Sequence, residues 1–492
     1  MNAAQLGFGC RAAAVLTLWA VTVRGQAGPE ITNFRRTETG GFQLDGTASA
    51  GDQYLLQSTM DLSQPFLDLA GSARTTAVDG ALGWSLDTAD VPQAFFRMRQ
   101  ISGKALLTWA DIAGGFAGTF GIPLAEQGDY RFGYSSGVHA QLTNGNLLVV
   151  GHPYYDRQAQ VQLPAVLDGR EGARVGNWMD ITGGRVPAGW SGGEAGSLLV
   201  GGLLQLGARV YFTKYEWYNG AGTDWQTQGH YTGALDGSGT ASGLWSVSNE
   251  YTHHSRVGGY LSEPPQVLKD AGYDYLAGLE GISGAALGRW GPNLFALNST
   301  VTNGRLRAAT LICHPEEALQ GPSARCANAT SAWWVANRPT NEVWWIGNKV
   351  TDIKWIETET RQGLLCLVYR GLGQTWYGLG NAGSGYPDPY WDGSSYHAEG
   401  YALQVWIYDP DDVMEVYRGE RAPWNLAPAE AVLLTERLPG SATETYYSVF
   451  TGTAVADLKA SVRGNRLVIL QPDEHPINEW ESTPKGYVFH LP

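Results

Sequence analysis

An all-β fold is predicted by three features of this 492-residue sequence. Gly accounts for 65 residues and Pro for 23, a density of turn-forming residues that disfavours long helices. Only 16% of the residues are charged, so the Lys and Glu side chains that usually cover exposed helix faces are scarce. Hydrophobic residues make up 43%, which is enough apolar surface to fold the chain and excludes a long disordered protein. We therefore expect many short strands joined by turns.

The formal net charge of -14 at pH 7 bears on the partners of the protein. A nucleic-acid-binding protein normally carries a basic stripe, and the sequence has none. It also lacks a GxGxxG motif after a strand and a Walker A loop, which disfavours a nucleotide-dependent enzyme. We expect no nucleic-acid partner.

Residues 1–27 have the layout of a secretory signal peptide. Arg11 precedes an apolar run from Ala12 to Val23, and small residues follow up to Ala27. The apolar run is shorter than the about 20 residues that a membrane-spanning helix needs. We expect cleavage after Ala27, a secreted or periplasmic mature protein that begins near Gly28, and no membrane span.

Residues 28–102 are predicted to form a small β-sandwich domain. Short alternating stretches at 42–46, 54–58 and 95–99 are separated by Gly, Asp, Ser and Thr, which is typical of antiparallel strands. The stretch that begins at Tyr54 and the closing strand at Phe95 resemble the small β-sandwich modules at the front of secreted bacterial proteins. The resemblance covers only this segment and implies a spacer or an adhesion module.

Residues 103–492 are predicted to form a β-propeller domain of about five to seven blades. Apolar strand cores, each beside a Gly or Asn turn, begin at Leu147, Leu198, Leu244, Leu294, Leu364, Leu403 and Leu467. They recur unevenly, about every 53 residues, and long repeats with several short strands each are typical of propeller blades. A large β-sandwich and a parallel β-helix remain open as alternatives.

Two blade-like stretches, residues 288–297 and 405–410, resemble those of secreted bacterial β-propeller proteins. Several groups of those proteins bind or cleave polysaccharides, so the resemblance implies an extracellular polysaccharide as the partner. The resemblance is one of architecture. No catalytic motif of a particular enzyme family is matched.

The first candidate site surrounds the first strand core. His139 precedes this core, and His152, Tyr154 and Arg157 follow it. Residues 141–150 are interpreted as two strands joined by a turn, across which the two histidines can face each other. An imidazole, a phenol and a guanidinium can abstract a proton beside a carboxylate and neutralise the resulting enolate. The alternative is a polar turn with a hydrogen-bonded histidine.

The second candidate site combines aromatic and acidic residues: Tyr211, Glu216, Trp217, Asp224 and Trp225. Flat aromatic faces stack on sugar rings, and carboxylates bind hydroxyl groups. Glu216 and Asp224 are therefore the candidate acid and base of a glycoside hydrolase. Aromatic packing between strands is the alternative.

The third candidate site contains His254 and Arg256, with Arg289 and Trp290 further along the chain. Because adjacent side chains on a strand point to opposite faces, we expect His254 or its neighbour His253, but not both, to enter one site. An arginine beside that histidine suits an anionic group.

The fourth candidate site is a loop rich in Gly, Pro and aromatic residues that contains Tyr390 and Trp391 and ends near His397. Such loops commonly carry binding residues. Asp388 and Asp392 offer oxygen ligands, so calcium is the candidate cofactor, although EF-hand spacing is absent. No cofactor follows with certainty from the sequence.

Removal of the signal peptide leaves three cysteines. Cys313 and Cys326 flank a segment with Pro, Gly and Ser, and we predict a disulfide between them. Cys366 lies in an apolar run and is expected to be a buried thiol. A zinc site is the alternative, but neither CxxC nor HExxH occurs.

Two functions fit these residues. The first is a secreted polysaccharide lyase or glycoside hydrolase, in which His139, His152, Tyr211, His254 and Arg289 converge on one pocket. The second is a non-catalytic propeller that binds a glycan or a protein. Because His, Tyr and Arg recur together in three clusters, the lyase is slightly favoured if the protein is an enzyme.

Overall fold

In a computed structural model of this chain, the described residues are 30–36, 42–47, 53–59, 67–68, 74–75, 77, 79, 81–86, 95–101, 103–188, 190, 198–216, 226–248, 257–278, 292–313, 349–377, 396–423, 425–434, 438, 446–447, 458–476 and 482–492. They form many strands and few helices, which confirms the predicted all-β fold. The chain divides into two compact units, Met1–Ala105 and Leu106–Pro492.

The first unit contains two small antiparallel sheets. Its strands are β1 (Glu30–Arg36), β2 (Phe42–Thr47), β3 (Gln53–Thr59), β4 (Leu67–Asp68), β5 (Arg74–Thr75), β6 (Ala81–Leu86) and β7 (Phe95–Ile101). One sheet has the order β1-β2-β6, and in the other β3 pairs with β4, β5 and β7. Leu44, Leu82 and Trp84 are buried on the first sheet, and Tyr54 and Leu56 on the second. Their alternation along the strands gives each sheet one buried face.

The rest of the chain forms strands β8 (Ala105–Leu106), β9 (Phe116–Gly121), β10 (His139–Gln141), β11 (Leu147–Val150), β12 (Gln158–Gln162), β13 (Asp168–Glu171), β14 (Ala173–Met179), β15 (Leu198–Leu206), β16 (Arg209–Glu216), β17 (Gln228–Thr232), β18 (Thr240–Ser248), β19 (Tyr260–Ser262), β20 (Tyr275–Gly278), β21 (Leu294–Thr302), β22 (Arg305–Ile312), β23 (Lys349–Glu357), β24 (Arg361–Tyr377), β25 (Tyr396–Tyr408), β26 (Glu430–Leu433), β27 (Tyr446–Tyr447), β28 (Lys459–Arg463), β29 (Arg466–Pro476) and β30 (Ser482–His490). Its helices are α1 (Trp109–Gly114), α2 (Gln266–Asp270) and α3 (Pro410–Tyr417).

Twenty of these strands are organised as five four-stranded antiparallel modules, and β8, β13 and β27 pair with strands of these modules. Modules one to four have the strand orders β10-β11-β12-β14, β15-β16-β17-β18, β19-β20-β21-β22 and β23-β24-β25-β26. Module five has the order β28-β29-β30-β9. Its last strand, β9, comes from the beginning of the second unit and pairs with β30 near the end of the chain. The first and last parts of the second unit therefore share one sheet.

Modules two and three join into one nearly closed, eight-stranded sheet. At one edge β18 pairs in parallel with β22, and at the other β15 contacts β19. The close approach of β15 to the residues just before β19 requires a glycine. A Cβ atom on Gly201 would lie 2.0 Å from the carbonyl oxygen of Gly258, closer than any side chain allows.

The first strands of the five modules, β10, β15, β19, β23 and β28, are called the inner strands. They contact one another in the cyclic order β10, β15, β19, β23, β28 and back to β10. The hydrophobic core is divided in the same way into five clusters, one between each pair of neighbouring modules. Their representative members are Leu148 with Phe212, Tyr211 with Tyr275, Leu276 with Trp406, Val405 with Ile469, and Val468 with Val149. The five clusters close a cycle.

The seven predicted strand cores are distributed over these five modules. Leu198 and Leu244 both lie in module two, and Leu364 and Leu403 both lie in module four. An apolar run marks any strand that is buried on both faces, and one module can contain more than one such strand. The spacing of about 53 residues is therefore shorter than the repeat of the structure.

The helices are short, and α1 and α3 begin at side-chain caps. At α1 the hydroxyl of Thr108 accepts a hydrogen bond from the backbone N–H of Asp111, and the Asp111 carboxylate accepts one from the N–H of Thr108. Asp409 caps α3, which begins with Pro410. None of the helices in the described part of the chain has the length and apolarity to span a membrane.

Candidate functional site

The turn between β11 and β12, residues 151–157, is closed on itself and packs on the segment that precedes β10. The N–H of Gly151 donates to the carbonyl oxygen of Arg157 at 2.7 Å, and the N–H of His152 donates to that of Arg131 at 2.9 Å. A Cβ atom on Gly151 would lie 2.7 Å from both the Arg131 carbonyl oxygen and the Trp178 ring. Glycine at this position thus lets the turn approach its support closely.

Four side chains of this region form an exposed cluster, here called the aromatic platform: Tyr134, His152, Tyr154 and Tyr155. The ring centre of His152 lies 5.7 Å from that of Tyr134, 5.0 Å from that of Tyr154 and 5.5 Å from that of Tyr155. The tyrosines are 45%, 60% and 39% exposed, in that order. Among the side chains whose burial is described, no other Tyr, Trp or Phe is exposed.

A layer of partly or fully buried rings supports the platform. Tyr155 packs edge to face on Tyr130 at 6.0 Å between ring centres, and Tyr130 lies 6.5 Å from Trp178. Trp178 in turn packs on the fully buried Phe132 at 4.5 Å. The guanidinium of Arg157 lies 5.4 Å above the Tyr130 ring. These contacts fix the platform rings on a rigid base.

The hydrogen-bond geometry assigns a tautomer to His152. Its Nδ1 atom accepts the backbone N–H of Tyr154 at 3.2 Å, so the ring proton of the neutral imidazole lies on Nε2. Partial burial, and then the positive charge of Arg131, lower the pKa of His152. At neutral pH this side chain is therefore a neutral hydrogen-bond donor.

An ion pair ties the platform turn to module two. The Asp156 carboxylate lies 2.7 Å from Nζ of Lys214, which is on β16. Burial raises the pKa of Asp156 to about 6, although the nearby lysine acts in the opposite direction. Asp156 and Tyr134 also have positive φ angles of 50° and 56°, a left-handed conformation that is rare for residues other than glycine. Such strain is frequently found at functional sites.

A second polar cluster lies where the inner strands meet. Nζ of Lys354 pairs with Oδ1 of Asp352 and donates to the carbonyl oxygen of Leu261 on β19 at 2.7 Å. The other oxygen of Asp352 accepts the N–H of Ala460 on β28 at 2.6 Å. This buried ion pair thus connects modules three, four and five.

His139 lies on the inner strand β10 and is only 3% exposed. Its Nδ1 atom is 2.8 Å from the carbonyl oxygen of Gly137. Burial lowers its pKa to about 4. In the β10–β11 ladder His139 is opposite Val149, not His152, because His152 lies beyond the ladder in the turn.

Tyr211 lies in a hydrophobic core, unlike the exposed turn of His152 and the inner strand of His139. It is buried on β16 in the core between modules two and three, with ring centres 4.6 Å from Tyr275 and 6.0 Å from His230. Aromatic packing between strands, the alternative left open by the sequence, describes this position. The three described members of the predicted catalytic set, His139, His152 and Tyr211, thus lie in an inner strand, an exposed turn and a core.

Several predicted site residues fall outside the described residues: Trp217, Asp224, Trp225, His254, Arg256, Arg289, Trp290, Asp388, Tyr390, Trp391 and Asp392. Glu216 and His397 lie within β16 and β25, but their side chains are not among those described. Cys313 is fully buried, and Cys326 lies outside the described residues, so their disulfide stays a prediction. Cys366 is a buried thiol.

From the sequence, Tyr154 and Arg157 were named as candidate binding residues, and the structure places Tyr154 in the platform and Arg157 on the supporting Tyr130. Tyr134 and Trp178 were not named. The stretch 130–134, upstream of β10, alternates aromatic and other residues, and this was the available signal for Tyr134. Trp178 comes from β14, a distant strand, and nothing local to it points to the platform.

In the part of the chain that is described, no group of three or more His, Cys, Asp or Glu side chains is arranged to hold a metal ion. No protein-family model matches the chain, and a comparison with curated proteins finds no match. The function has to be argued from the site itself.

Proposed function

We propose that the second unit is a five-bladed β-propeller and that the first unit is a small β-sandwich. Three observations support the propeller: the five antiparallel modules, the cyclic contacts of their inner strands, and the five cores between neighbours. In a propeller each blade buries its faces against the two adjacent blades. The pairing of β9 with β30 would then close the ring.

On this fold, the proposed function is the binding of an extracellular polysaccharide on the aromatic platform. The observation that carries the proposal is the gathering of the exposed Tyr side chains of the described residues in one patch. Tyrosine faces stack on the apolar faces of sugar rings. The Nε2–H of His152 lies among them and supplies a donor for a sugar hydroxyl.

Degradation of the polysaccharide is the second candidate. It is favoured by Asp156, because a carboxyl group with a pKa of about 6 suits acid and base catalysis near neutral pH. Proton abstraction by His139 or His152 is less well supported. The Nδ1 lone pair of His152 already accepts a hydrogen bond, and His139 is buried. Binding is therefore proposed first, with hydrolysis or elimination as the alternative.

The test is a panel of neutral and uronate-containing polysaccharides, with binding measured by affinity electrophoresis. We expect at least one to bind, and Tyr154→Ala to weaken that binding by about tenfold or more, about 1.4 kcal/mol. The matched control is Val267→Ala, which truncates a similarly exposed side chain on α2, away from the platform. Equal affinities for the wild type and Tyr154→Ala would contradict the proposal.

The same panel separates binding from degradation. New reducing ends together with ultraviolet absorbance of an unsaturated uronate would indicate elimination, and reducing ends alone would indicate hydrolysis. Binding without either product would leave the non-catalytic function.

Secretion is part of the proposal and is supported by the signal-like pattern of residues 1–27. N-terminal sequencing of protein recovered from the periplasm or the medium should give a start near Gly28. An intact Met1 there would contradict it.

A further inference from the structure

We infer that the platform binds a neutral polysaccharide, one without uronate, sulfate or phosphate groups. This inference rests on the proposed binding function and concerns the class of glycan. It is carried by the charged groups around the platform and by the hydrogen-bonding groups on it.

Among the described residues, the three cationic side chains in contact with the platform or its supporting turn each have a carboxylate nearby. Nζ of Lys214 lies 2.7 Å from Asp156, and a guanidinium nitrogen of Arg157 lies 3.3 Å from Asp180. The third cation, Arg131, has Glu126 at 3.8 Å. The charges of these three pairs cancel, and an anionic sugar that bound Lys214 or Arg157 would have to displace a carboxylate that is already present.

The positions of two of these cations make such an exchange unfavourable. Lys214 is only 6% exposed and lies beneath the turn, so a ligand on the platform cannot reach it without moving the turn. Arg157 is held both by Asp180 and by the face of Tyr130. An arginine normally binds a carboxylate or sulfate through two of its guanidinium N–H groups, and in Arg157 part of the guanidinium already faces Asp180.

The groups that the platform does present are uncharged. They are the faces of three tyrosines and the imidazole of His152, whose ring proton lies on Nε2. Adding a second proton would place it on Nδ1, where it would disrupt the hydrogen bond from Tyr154, so the local geometry favours the neutral ring. Neutral donors and aromatic faces match the hydroxyl groups and C–H faces of an uncharged sugar.

Long-range electrostatics act in the same direction. The chain carries a net charge of -14, which repels a polyanion that comes within a Debye length of its surface, about 8 Å at physiological salt. A polyanion could overcome this repulsion at a cationic site with unpaired charge, and the described surroundings of the platform contain paired charges instead.

The test compares a uronate polymer with the same polymer after its carboxyl groups have been reduced to hydroxymethyl groups, alongside neutral glucans, xylans, mannans and galactans. Dissociation constants are measured at low and at physiological salt for the wild type, Tyr154→Ala and the Val267→Ala control. We expect neutral polymers to bind at least about tenfold more tightly than uronate polymers. We also expect their affinity to change less than about twofold with salt, since no ion pair with the ligand is formed.

The outcomes distinguish this inference from the proposal on which it rests. Tighter, salt-sensitive binding of uronate polymers that is still lost in Tyr154→Ala would overturn the inference and leave the platform as the binding site. Binding that is unaffected by Tyr154→Ala, or no binding to any polymer, would overturn the proposed function and the inference with it.

Discussion

Replacing Asp352 with Asn is expected to destabilise the second unit by about 3–5 kcal/mol. The Asp352 side chain is 3% exposed and its partner Lys354 is 7% exposed, so the ion pair is screened very little by water. One carboxylate oxygen accepts the N–H of Ile353 at 2.8 Å, and the other accepts the N–H of Ala460 at 2.6 Å. Every oxygen of Asp352 thus faces a donor.

The size of the effect follows from these contacts. In either orientation, the NH2 group of the introduced asparagine would face the backbone N–H of Ile353 or of Ala460. That buried N–H would then have no acceptor, which costs about 1–3 kcal/mol. Lys354 would also lose its carboxylate partner in a buried position, and breaking one side of such a pair costs about 3–5 kcal/mol. The two costs share the same atoms and are not additive.

Urea unfolding followed by tryptophan fluorescence measures the change, provided that the slope of the transition is unchanged. The matched control is Asp168→Asn, which breaks an ion pair with Arg170 on the exposed strand β13. We expect no measurable change in the control, because an exposed ion pair contributes little. A destabilisation below about 1 kcal/mol in Asp352→Asn would refute the reasoning, since that is the size of an ordinary substitution.

Three further results are expected. Because burial lowers the pKa of His139 from 6.5 to about 4, the unfolded state binds more protons between these values. The wild type should therefore lose about 3 kcal/mol of its free energy of unfolding as the pH falls from 6.5 to 4. In urea unfolding, His139→Asn should lose less over the same pH range, and an equal loss in both proteins would contradict this prediction. Polysaccharide affinity should fall as the pH falls through about 6, where Asp156 gains a proton and the ion pair that ties the platform turn to β16 is lost. The same titration of Asp156→Asn should show a smaller fall, since only His152 of the two groups then still titrates. Thiol labelling of unfolded mature protein should count one thiol without reductant and three with it, and three in both cases would exclude the disulfide between Cys313 and Cys326.

Local features of the fold were predictable from the sequence. The hairpin over residues 141–150 is an example. The structure has β10 and β11 on either side of a turn, with Gly145 at a φ of 89°. A Thr-Asn-Gly sequence between apolar runs specifies such a turn through its own backbone preferences. The all-β fold follows from the same kind of local information repeated along the chain.

The closure of module five was not predictable from a single sequence. Gly121 of β9 pairs with Lys485 of β30, and neither strand carries a local pattern that identifies its partner. The sequence of β23 was similarly misleading, because polar residues at Asp352 and Lys354 are typical of a strand with one face in water. The structure buries both of them, since β23 contacts inner strands on two sides.

The candidate site was predictable where it lies on one continuous segment. His152 and Tyr154 stand out because a polar, aromatic turn follows an apolar strand. Tyr134, Trp178 and Lys214 join the site from other segments, and only strand pairing and packing bring them to the turn. Spacing in the sequence carries no information about such contacts.

A crystal structure of the protein with an oligosaccharide selected from the polysaccharide panel tests the central claim most directly. We expect one sugar ring to stack on Tyr154 and a hydroxyl group to lie within hydrogen-bond distance of Nε2 of His152. An oligosaccharide bound elsewhere on the protein, with Tyr134, Tyr154 and Tyr155 untouched, would contradict the claim that the platform is the binding site.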